Sequence, residues 1–471
     1  MIVVPQYAGR RVIVAGLARS GLAAARALAA GGADVAVWDD SPARREAAAR
    51  ERLAVVADLA AERWRSVAAL VMSPGIPLTH PEPHPAVRLA RAAGVRVTGD
   101  VALLREALPE ATICAITGTN GKSTTTALIG HLLQSTGRRA AVGGNLGTAA
   151  LDLPALEPGG VYVLELSSYQ LDLHDAAPFD VTVLLNVAPD HLDRHGSMAG
   201  YVAAKRRIFR GQTSGHVAIV GIDDAVSAAI AEALESADGP RVVRISRDGG
   251  APATVRIEGG RLVDAMDGLA RTVADLAHLP TLPGRHNAQN VAAAHAAGRI
   301  LGLSGAAIGA ALPTYPGLRH RQELVAVIDG VGYVNDSKAT NADAAGYALE
   351  CYETVYWIAG GVPKEGGIAA LAPLFPRIAH AFVIGAAAPG FAETLAGRVP
   401  TTRSGDLASA VAQARERALA ERRPGAVVLL SPAAASFDQF RDFEDRGERF
   451  RAIVLGLPGR RVVLDPAESA A

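Results

Sequence analysis

Short apolar runs alternate with longer segments of helical spacing along the whole chain. The pattern predicts early strands at 11–15, 33–38, 69–72 and 95–98, middle strands at 111–116, 161–166 and 181–186, and late strands at 324–328, 332–335, 355–359, 381–384 and 427–430. Strands that alternate with helices form mostly parallel sheets. A chain of 471 residues is too long for one core. We therefore predict three α/β domains, 1–100, 101–317 and 318–471, the first and last of them Rossmann-like.

A glycine-bearing turn stands between a predicted strand and a predicted helix at residues 118–124, Gly-Thr-Asn-Gly-Lys-Ser-Thr. Unpaired amides at a helix N-terminus attract anions, and the two glycines let the backbone approach phosphates. Lys122 can reach the β and γ oxygens, and Ser123 is placed to ligate magnesium. Ile116 occupies the first glycine position of the longer general pattern, so an unrelated Gly-Lys-Ser turn is the alternative. The turn predicts a central P-loop-type ATPase domain with a mostly parallel sheet.

Two other predicted strands of the central domain end in polar residues. Glu165 ends one strand, and Asp-His-Leu-Asp at 190–193 follows the next. A carboxylate and an imidazole beside ATP phosphates suit magnesium, although Glu165 could also be a helix cap or a salt-bridge carboxylate and His191 an ordinary loop histidine. A zinc site at His191 and His195 lacks a convincing third ligand. The helical segment around Lys205 by itself favours a surface lysine.

The first strand of the chain leads into the turn Gly-Leu-Ala-Arg-Ser-Gly at 16–21. Ala18 replaces the middle glycine of the dinucleotide-binding pattern, and Asp39 follows about twenty residues later, after the second strand. This predicts a dinucleotide or sugar-nucleotide site and weakens the NAD interpretation. The loop from Ser73 to Pro77 follows another strand, where open α/β sheets bind ligands, or is an ordinary turn.

The last domain carries a dense polar loop at 335–341, Asn-Asp-Ser-Lys-Ala-Thr-Asn, between a strand and an alanine-rich helix. Such a loop at a helix N-terminus suits a small anionic substrate or a nucleotide. Further polar segments at 319–321, 360–364 and 431–440 also follow or flank apolar strands. Each could be a plain loop, but their shared position favours convergence on one site.

Composition limits the class of partner. Lys and Arg together number 47, as do Asp and Glu, so the net charge of zero argues against a nucleic-acid-binding surface. Cys114 and Cys351 are too few for a disulfide framework. The first eleven residues lack a signal-peptide pattern, and no apolar run is long enough to span a membrane. We expect a cytoplasmic monomer that binds small molecules and neither nucleic acid nor membrane.

These motifs, in this order, resemble those of the Mur ligases, the ATP-dependent amino-acid-adding enzymes of peptidoglycan precursor synthesis. The matching segments are 118–124, 186–193 and 335–341, and the resemblance spans nearly the whole chain. Segments 143–147, 164–171 and 436–440 are most similar to the D-glutamate-adding branch. The loop at 361–364 departs from the Gly-Asp-Gly-Lys form of that branch, and Phe437 stands where leucine is common.

The resemblance implies a role for each candidate residue. ATP would be bound by Gly118, Thr119, Asn120, Gly121, Lys122, Ser123, Thr124, Asn287, Asn290, Arg321 and Asp336. Magnesium would be held by Ser123, Glu165, His191 and Lys205, with Lys205 carbamylated by carbon dioxide, and the catalytic set would be Lys122, Glu165, His191 and Lys205. The UDP-linked substrate would be held by Arg19, Ser20, Asp39, Ser73 and Asn145, and D-glutamate by Lys338, Thr340, Lys364, Ser436 and Phe443.

The implied activity is an ADP-forming amide ligation that joins D-glutamate to UDP-N-acetylmuramoyl-L-alanine through an acyl phosphate. The alternatives are a ligase for another amino acid, a glutamate-adding folate enzyme, an NAD-dependent oxidoreductase and a non-enzymatic nucleotide-binding regulator. The UDP-like loops of the first domain argue against the folate enzyme, and Ala18 argues against the oxidoreductase. Three separate polar loops suit two substrates and ATP better than they suit a regulator.

Overall fold

The computed structural model describes residues 1–235, 238–249, 253–279, 281–364 and 366–462. They form two compact units: residues 1–275 with 288–312, and residues 276–287 with the described residues from 313 onward. The first unit contains two sheets and the second contains one. The α/β fold with three mostly parallel sheets is confirmed, while the predicted domain boundaries stay predictions. The end of the predicted third domain, 463–471, lies outside the described residues.

The first sheet and its helices span the N-terminal hundred residues. The elements are β1 (Arg11–Ala15), α1 (Arg19–Ala30), β2 (Asp34–Trp38), α2 (Pro42–Arg50), β3 (Ala54–Val55), β4 (Val67–Met72), α3 (Pro85–Ala92), β5 (Arg96–Thr98) and α4 (Asp100–Ala107). All five strands are parallel, in the order β3-β2-β1-β4-β5. The order reverses between β1 and β4, where open α/β sheets bind ligands. The loops at Gly16 and Ser73 follow these two strands.

The second sheet has nine strands. The elements are β6 (Thr112–Thr117), α5 (Lys122–Ser135), β7 (Ala140–Gly144), β8 (Val161–Glu165), α6 (Ser168–Asp172), β9 (Val181–Leu184), α7 (Leu192–His195), α8 (Met198–Arg206), β10 (Val217–Gly221), α9 (Ala225–Leu234), β11 (Arg241–Ser246), β12 (Val255–Glu258), β13 (Arg261–Asp264), β14 (Arg271–Asp275), α10 (Arg285–Ile300) and α11 (Gly305–Ala311). The order is β14-β13-β12-β11-β10-β9-β6-β8-β7. Strand β13 pairs antiparallel with β12 and with β14, so it alone runs against the other described strands of this sheet. Strands β8 and β9 are buried at every position, as the central strands of a helix-covered parallel sheet must be.

The third sheet belongs to the second unit. The elements are β15 (Glu323–Ile328), β16 (Val331–Asn335), α12 (Ala342–Glu350), β17 (Thr354–Gly360), β18 (Ile378–Ile384), α13 (Ala388–Leu395), β19 (Thr401–Gly405), α14 (Leu407–Glu421), β20 (Ala426–Leu430), α15 (Phe443–Gly456) and β21 (Arg461–Val462). The order is β19-β18-β17-β20-β16-β15-β21, parallel from β19 to β16. Apolar residues cover both faces of this sheet.

Every predicted strand is present, with ends shifted by a few residues. Strands β3, β7, β10 to β14, β19 and β21 are not among the predictions. Most of them lack a continuous apolar run: β12 reads Val-Arg-Ile-Glu and β19 reads Thr-Thr-Arg-Ser-Gly. Such strands form because a neighbouring strand supplies hydrogen bonds, which local sequence does not report. Both cysteines are free thiols, and no described helix is long and apolar enough to cross a membrane.

Candidate functional site

Neighbouring strands of the second sheet end at one edge. Strand β6 pairs in parallel with β8 and β9, so Ile116 lies opposite Glu165 and Thr117 lies opposite Leu184. The pairing continues past the strand end, where the Leu166 amide donates to Ile116 O at 2.8 Å. Three segments are therefore neighbours, as the sequence predicted: the turn at 118–124, called the phosphate turn below, the carboxylate at the end of β8, and the polar segment after β9.

The phosphate turn is closed by its own lysine. Lys122 Nζ donates to the carbonyl oxygens of Gly118 at 2.9 Å and Thr119 at 2.8 Å. Gly121 has a φ of 85°, in the left-handed region, and caps the N-terminus of α5. The Asn120 amide donates to Asn186 Oδ1 at 2.9 Å, which ties the turn to the segment after β9. The ammonium group and the positive end of the α5 dipole thus lie at the same turn.

Glu165 places a carboxylate oxygen with no partner beside this turn. The residue is 2% exposed, and Oε1 accepts a hydrogen bond from Asn145 Nδ2 at 2.6 Å. Oε2 is buried and has no hydrogen-bond partner among the described residues. A buried carboxylate oxygen without a donor is costly unless a cation approaches it. Glu165 is therefore neither a helix cap nor an ion-pair partner in the described chain, and its free oxygen fits a metal ligand.

His191 lies in the polar segment after β9, with a φ of 53°. Its Nδ1 is 2.9 Å from the Tyr169 hydroxyl, and its Nε2 is 3.4 Å from Asp190 Oδ2. Partial burial lowers the pKa of His191, and the charges of Lys122 and Lys205 lower it further against the opposing effect of Asp190. A neutral imidazole is the form that ligates metals.

Lys205 is buried, so the interpretation of this residue as a surface lysine is wrong. It lies on α8 and is 1% exposed. Its Nζ donates to Gly118 O at 2.7 Å and lies 4.6 Å from the centre of the Tyr201 ring. Burial holds the pKa of Lys205 well below its usual range, and the neighbouring charge of Lys122 adds to this. Within the described chain no carboxylate forms an ion pair with it. Periodicity alone does not reveal this burial.

The rings of His191 and His195 have different partners. His195 Nε2 is 2.9 Å from Ser168 Oγ, and Nδ1 is 3.5 Å from Asp172 Oδ2. Burial lowers the pKa of His195 to about 4. Among the described residues, no group of three or more His, Cys, Asp or Glu side chains could hold one metal ion. Magnesium fits the site as an ion held by few protein ligands, with phosphate oxygens completing its shell.

The first sheet contributes a second group of polar residues. Asp39 is 5% exposed, and its two oxygens accept from the amides of Leu17 at 2.6 Å and Ser41 at 2.8 Å. Ser73 Oγ donates to Gly16 O at 2.7 Å. These bonds fix the loops after β1, β2 and β4 against one another. Asp39 therefore fixes the loops after β1 and β2 through their backbone amides.

Arg19 and Ser20 open helix α1. Arg19 Nη2 donates to Asn145 O at 3.1 Å, and the Ser20 side chain hydrogen-bonds to buried Asp100. The Asn145 amide in turn donates to Glu165 O at 2.9 Å. The arginine thus connects the first sheet to the loop after β7, whose Asn145 hydrogen-bonds to Glu165.

One cleft of about 870 Å³ collects these groups within the first unit. Its lining includes the predicted residues Arg19, Ser20, Asp39, Ser73, Lys122, Asn145, His191 and Lys205. Tyr169 and Tyr201, which the sequence analysis did not select, also line it. The sequence offers one signal for these two tyrosines: each is an aromatic residue four positions along the chain from a predicted site residue. The cleft is large enough for an extended charged ligand.

Most of the predicted residues of the second unit follow the carboxyl ends of strands β16, β17 and β20. Asp336 follows β16, and its carboxylate accepts from Ser431 Oγ at 2.8 Å and from the Gln322 amide at 3.2 Å. Burial raises the pKa of Asp336 to about 7. Arg321 lies in the turn before β15, and its charge acts on the same carboxylate. These two predicted ATP residues are therefore neighbours.

The predicted D-glutamate residues lie on four segments of the second unit. Lys338 Nζ is 3.7 Å from the centre of the Phe443 ring. Thr340 is half-buried, Ser436 is buried, and Lys364 is exposed. The Val362 amide donates to Ala435 O at 2.8 Å and ties the 360–364 loop to the 431–440 loop. Lys338 thus lies against Phe443, and the 360–364 loop lies against the 431–440 loop.

The two predicted adenine contacts lie one turn apart on α10. Asn287 belongs to the second unit, and its Nδ2 donates to Pro283 O at 2.7 Å. Asn290 belongs to the first unit, where its Oδ1 accepts from Thr125 Oγ1 at 3.2 Å behind the phosphate turn. Asn290 therefore supports the turn, and the contact of either residue with adenine stays a prediction.

Sequence comparison places the chain among known ligases. The family model for the Mur ligase middle domain matches residues 116–298, and the model for the Mur ligase MurD-like N-terminal domain matches residues 10–99. The matched ranges contain the phosphate turn, Glu165, His191 and Lys205, and the loops of the first sheet. The chain belongs to the Mur ligase family.

Two relatives show how far the similarity extends. The UDP-N-acetylmuramoylalanine–D-glutamate ligase of Phenylobacterium zucineum is 54% identical over 463 residues, covering 97% of this chain and 98% of the relative. The enzyme of the same name from Rhodospirillum rubrum is 52% identical over 466 residues, covering 98% of each chain. This membership sets aside the NAD-dependent oxidoreductase as a class.

The solved structures show the same fold at low sequence identity. The UDP-N-acetylmuramate-alanine ligase MurC of Thermotoga maritima has a TM-score of 0.57 at 18% identity, covering 95% of this chain and 99% of that structure. MurF of Acinetobacter baumannii has a TM-score of 0.56 at 19% identity, covering 80% and 82%.

Proposed function

We propose that this enzyme joins D-glutamate to UDP-N-acetylmuramoyl-L-alanine in peptidoglycan precursor synthesis, with conversion of ATP to ADP and phosphate. One observation carries the proposal: a single cleft places Lys122 of the phosphate turn, buried Lys205 and Asn145, the hydrogen-bond partner of Glu165, beside the ligand loops of the first sheet. A nucleotide phosphate and an acidic second substrate can meet there. The relatives that span nearly the whole chain carry the name of this activity.

The reaction must first activate a carboxylate. The alanyl carboxylate attacks the γ-phosphorus of ATP, the bond from that phosphorus to the β,γ-bridging oxygen breaks, and ADP leaves with the electron pair. The product is an acyl phosphate. The neutral amine of D-glutamate then attacks the acyl carbon, and inorganic phosphate leaves after the amine loses a proton. Activation is needed because a free carboxylate would have to expel oxide.

Lys122 and the N-terminus of α5 supply fixed positive charge for the phosphoryl transfer. Because both are already held at the turn, they can stabilise charge on the transferred phosphoryl without rearrangement at the moment of reaction. Bound magnesium would neutralise phosphate charge and polarise the phosphorus centre. Ser123, Glu165 and His191 are the residues that we propose to hold it.

We further propose that Lys205 reacts with carbon dioxide to form a carbamate. Its buried amine is driven towards the neutral, nucleophilic form by burial and by Lys122. The nitrogen attacks carbon dioxide, a C–N bond forms and one proton leaves. The carbamate N–H can keep the present hydrogen bond to Gly118 O. A cationic group that would repel magnesium thereby becomes an anionic ligand.

The remaining assignments follow the placement of the loops. Arg19, Ser20, Asp39, Ser73 and Asn145 would hold the UDP-linked substrate, Arg321, Asp336, Asn287 and Asn290 would contact ATP, and Lys338, Thr340, Lys364, Ser436 and Phe443 would bind D-glutamate. Cationic Lys338 and Lys364 suit an amino acid with two carboxylates. We propose that the enzyme acts as a monomer in the cytoplasm, where ATP and nucleotide-linked precursors are available.

Phosphate release tests the activity directly. The full-length enzyme with ATP, magnesium and UDP-N-acetylmuramoyl-L-alanine should release phosphate when D-glutamate is added, and far less with L-glutamate or other amino acids offered singly. Lys122→Ala should lower the rate by at least 100-fold, since it removes a charge that acts on the transferred phosphoryl, while calorimetry should still show binding of the UDP-linked substrate. A different preferred amino acid, or a fully active Lys122→Ala variant, would contradict the proposal.

A second test separates the carbamate from an ordinary buried lysine. Lys205→Ala should lose most activity, and acetate or propionate should restore part of it by supplying the missing carboxylate. Carbon-13 NMR with labelled bicarbonate should show a carbamate signal in the wild type that is lost in the variant. Arg206→Ala, an exposed neighbour on the same helix, is the matched control and should remain active. Loss of activity with neither rescue nor a carbamate signal would rule out the carbamate.

A further inference from the structure

Arg446 is fully buried in the second unit and holds three loops with one side chain. It lies in the second turn of α15 and is 0% exposed. Nε donates to Ser337 Oγ at 2.9 Å, and Nη2 donates to Ser337 O at 2.8 Å. Nη1 donates to Gly360 O at 3.3 Å and to Ala434 O at 3.2 Å. The planar guanidinium thus donates to the hydroxyl and the carbonyl oxygen of Ser337 in one loop, and to one carbonyl oxygen in each of two others.

The three loops are those on which the proposed D-glutamate residues lie. Ser337 directly precedes Lys338, Gly360 opens the loop that contains Lys364, and Ala434 stands two residues before Ser436. The helix that carries Arg446 begins at Phe443, and Ser337 Oγ donates to Phe443 O at 2.8 Å. Every segment proposed to touch the amino acid is therefore tied to this guanidinium directly or through Ser337.

The charge of Arg446 has no direct counterion. Within the described chain no carboxylate forms an ion pair with it, and Asp336 and Asp438 act on it only at longer range. Asp438 Oδ2 instead accepts from the Ala386 amide at 2.9 Å. Burial lowers the pKa of Arg446 to about 10, so the group is still protonated at neutral pH. A buried positive charge that is not neutralised nearby raises the potential of the loops around it.

We propose that Arg446 is a positioning residue for the amino-acid substrate: it fixes the 337–340, 360–364 and 434–436 loops relative to one another and places a permanent positive charge behind them. The proposal rests on the proposed function, because the substrate it names is a dicarboxylate amino acid. Geometry and charge make separable contributions. Lysine at this position would keep the charge but cannot bond to all three loops, since its donors radiate from one atom.

The test compares the Michaelis constants for D-glutamate and for UDP-N-acetylmuramoyl-L-alanine in the full-length enzyme. Arg446→Lys and Arg446→Gln should each raise KM for D-glutamate at least tenfold, with the larger increase for Arg446→Gln because it also removes the charge. KM for UDP-N-acetylmuramoyl-L-alanine should stay within about twofold of the wild type, because that substrate's proposed residues lie in the other unit. Arg449→Gln is the matched control: in the described chain this exposed arginine of the same helix pairs with Asp445, lies 5.5 Å from the centre of the Phe440 ring and donates to none of the three loops, so its KM values should not change.

A purely structural role predicts a different result. It would lower the active fraction and the unfolding temperature of the variants without a selective change in KM for D-glutamate, and that result would overturn the proposal. If the Arg446 variants do not fold, Ser337→Ala removes one acceptor while it keeps the guanidinium, and it should raise the same KM severalfold. Failure of the wild type to use D-glutamate would refute the proposed function itself, whereas an active wild type with unchanged variant KM values would refute only the role of Arg446.

Discussion

At the scale of single residues, burial lowers the pKa of two basic side chains whose surroundings differ. Lys205 is a point charge with one hydrogen bond to a carbonyl and lies near the charge of Lys122, so the neutral amine is favoured. Arg446 spreads its charge over a plane with four hydrogen bonds and remains protonated. The first is suited to reaction with an electrophile, and the second to a permanent structural and electrostatic role.

Asp336 provides a prediction for pH dependence. Burial raises its pKa from 3.8 to about 7, so the folded chain holds a proton that the unfolded chain releases between those values. The free energy of unfolding therefore falls as pH rises from about 4 to about 7 and is constant with respect to this group above that. Asp336→Asn removes the effect.

Relative to the wild type, the free energy of unfolding of Asp336→Asn should increase by about 2 kcal/mol between pH 5 and pH 8. Thermal or denaturant unfolding at the two pH values measures the difference. Glu416→Gln, which removes an exposed carboxylate of the same unit, is the control and should show little change. If the relative stability of Asp336→Asn is the same at both pH values, the buried carboxyl of Asp336 does not hold a proton at pH 5.

At the scale of elements, the strand, turn and helix at 112–135 depend on one backbone conformation. Gly121 has a φ of 85°, and a Cβ atom there would overlap Asn290 Oδ1 and crowd Leu185. Gly137, just past the other end of the same helix, has a φ of 80° but faces open space. The two glycines thus separate the cost of a left-handed φ from the cost of disturbing the phosphate turn.

Gly121→Ala and Gly137→Ala should both destabilise the fold by about 1 kcal/mol through the left-handed φ. Only Gly121→Ala should also lower ATP-dependent phosphate release, by at least 100-fold, because Asn290 and the turn must move. Unfolding curves and initial rates for both variants check this. Equal activity of the two would mean that the turn tolerates a side chain and that its shape is not critical.

The elements differ in how well local sequence specifies them. Strands such as β6 and β8 are apolar throughout because helices cover both faces of the sheet, so their residues alone predict them. The start of helix α12 is likewise marked by Asn341, an N-cap residue whose side chain accepts a hydrogen bond from the Ala344 amide. Strand β19 is polar and has no such signal. It forms against β18, whose hydrogen-bonding edge is set by distant parts of the chain.

At the scale of the whole molecule, the first unit combines two sheets around one ligand cleft. The loops after β1 and β4 lie where the order of the first sheet reverses, and the loops after β6, β8 and β9 lie at one edge of the second sheet. Arg19 donating to Asn145 O joins these two groups of loops. The topology of the two sheets thus keeps the proposed nucleotide-phosphate site and the proposed second ligand site on separate loops.

The sequence by itself determined the α/β class, the phosphate turn and the polar loops at the strand ends, because apolar runs, glycines and helix caps act over a few neighbouring residues. Only the tertiary structure decided that Lys205 is buried against Gly118, that one oxygen of Glu165 has no partner, and that Arg446 holds three loops. Burial and the absence of a hydrogen-bond partner depend on segments far apart in the chain. Helical periodicity records which residues share a face, but not what that face meets.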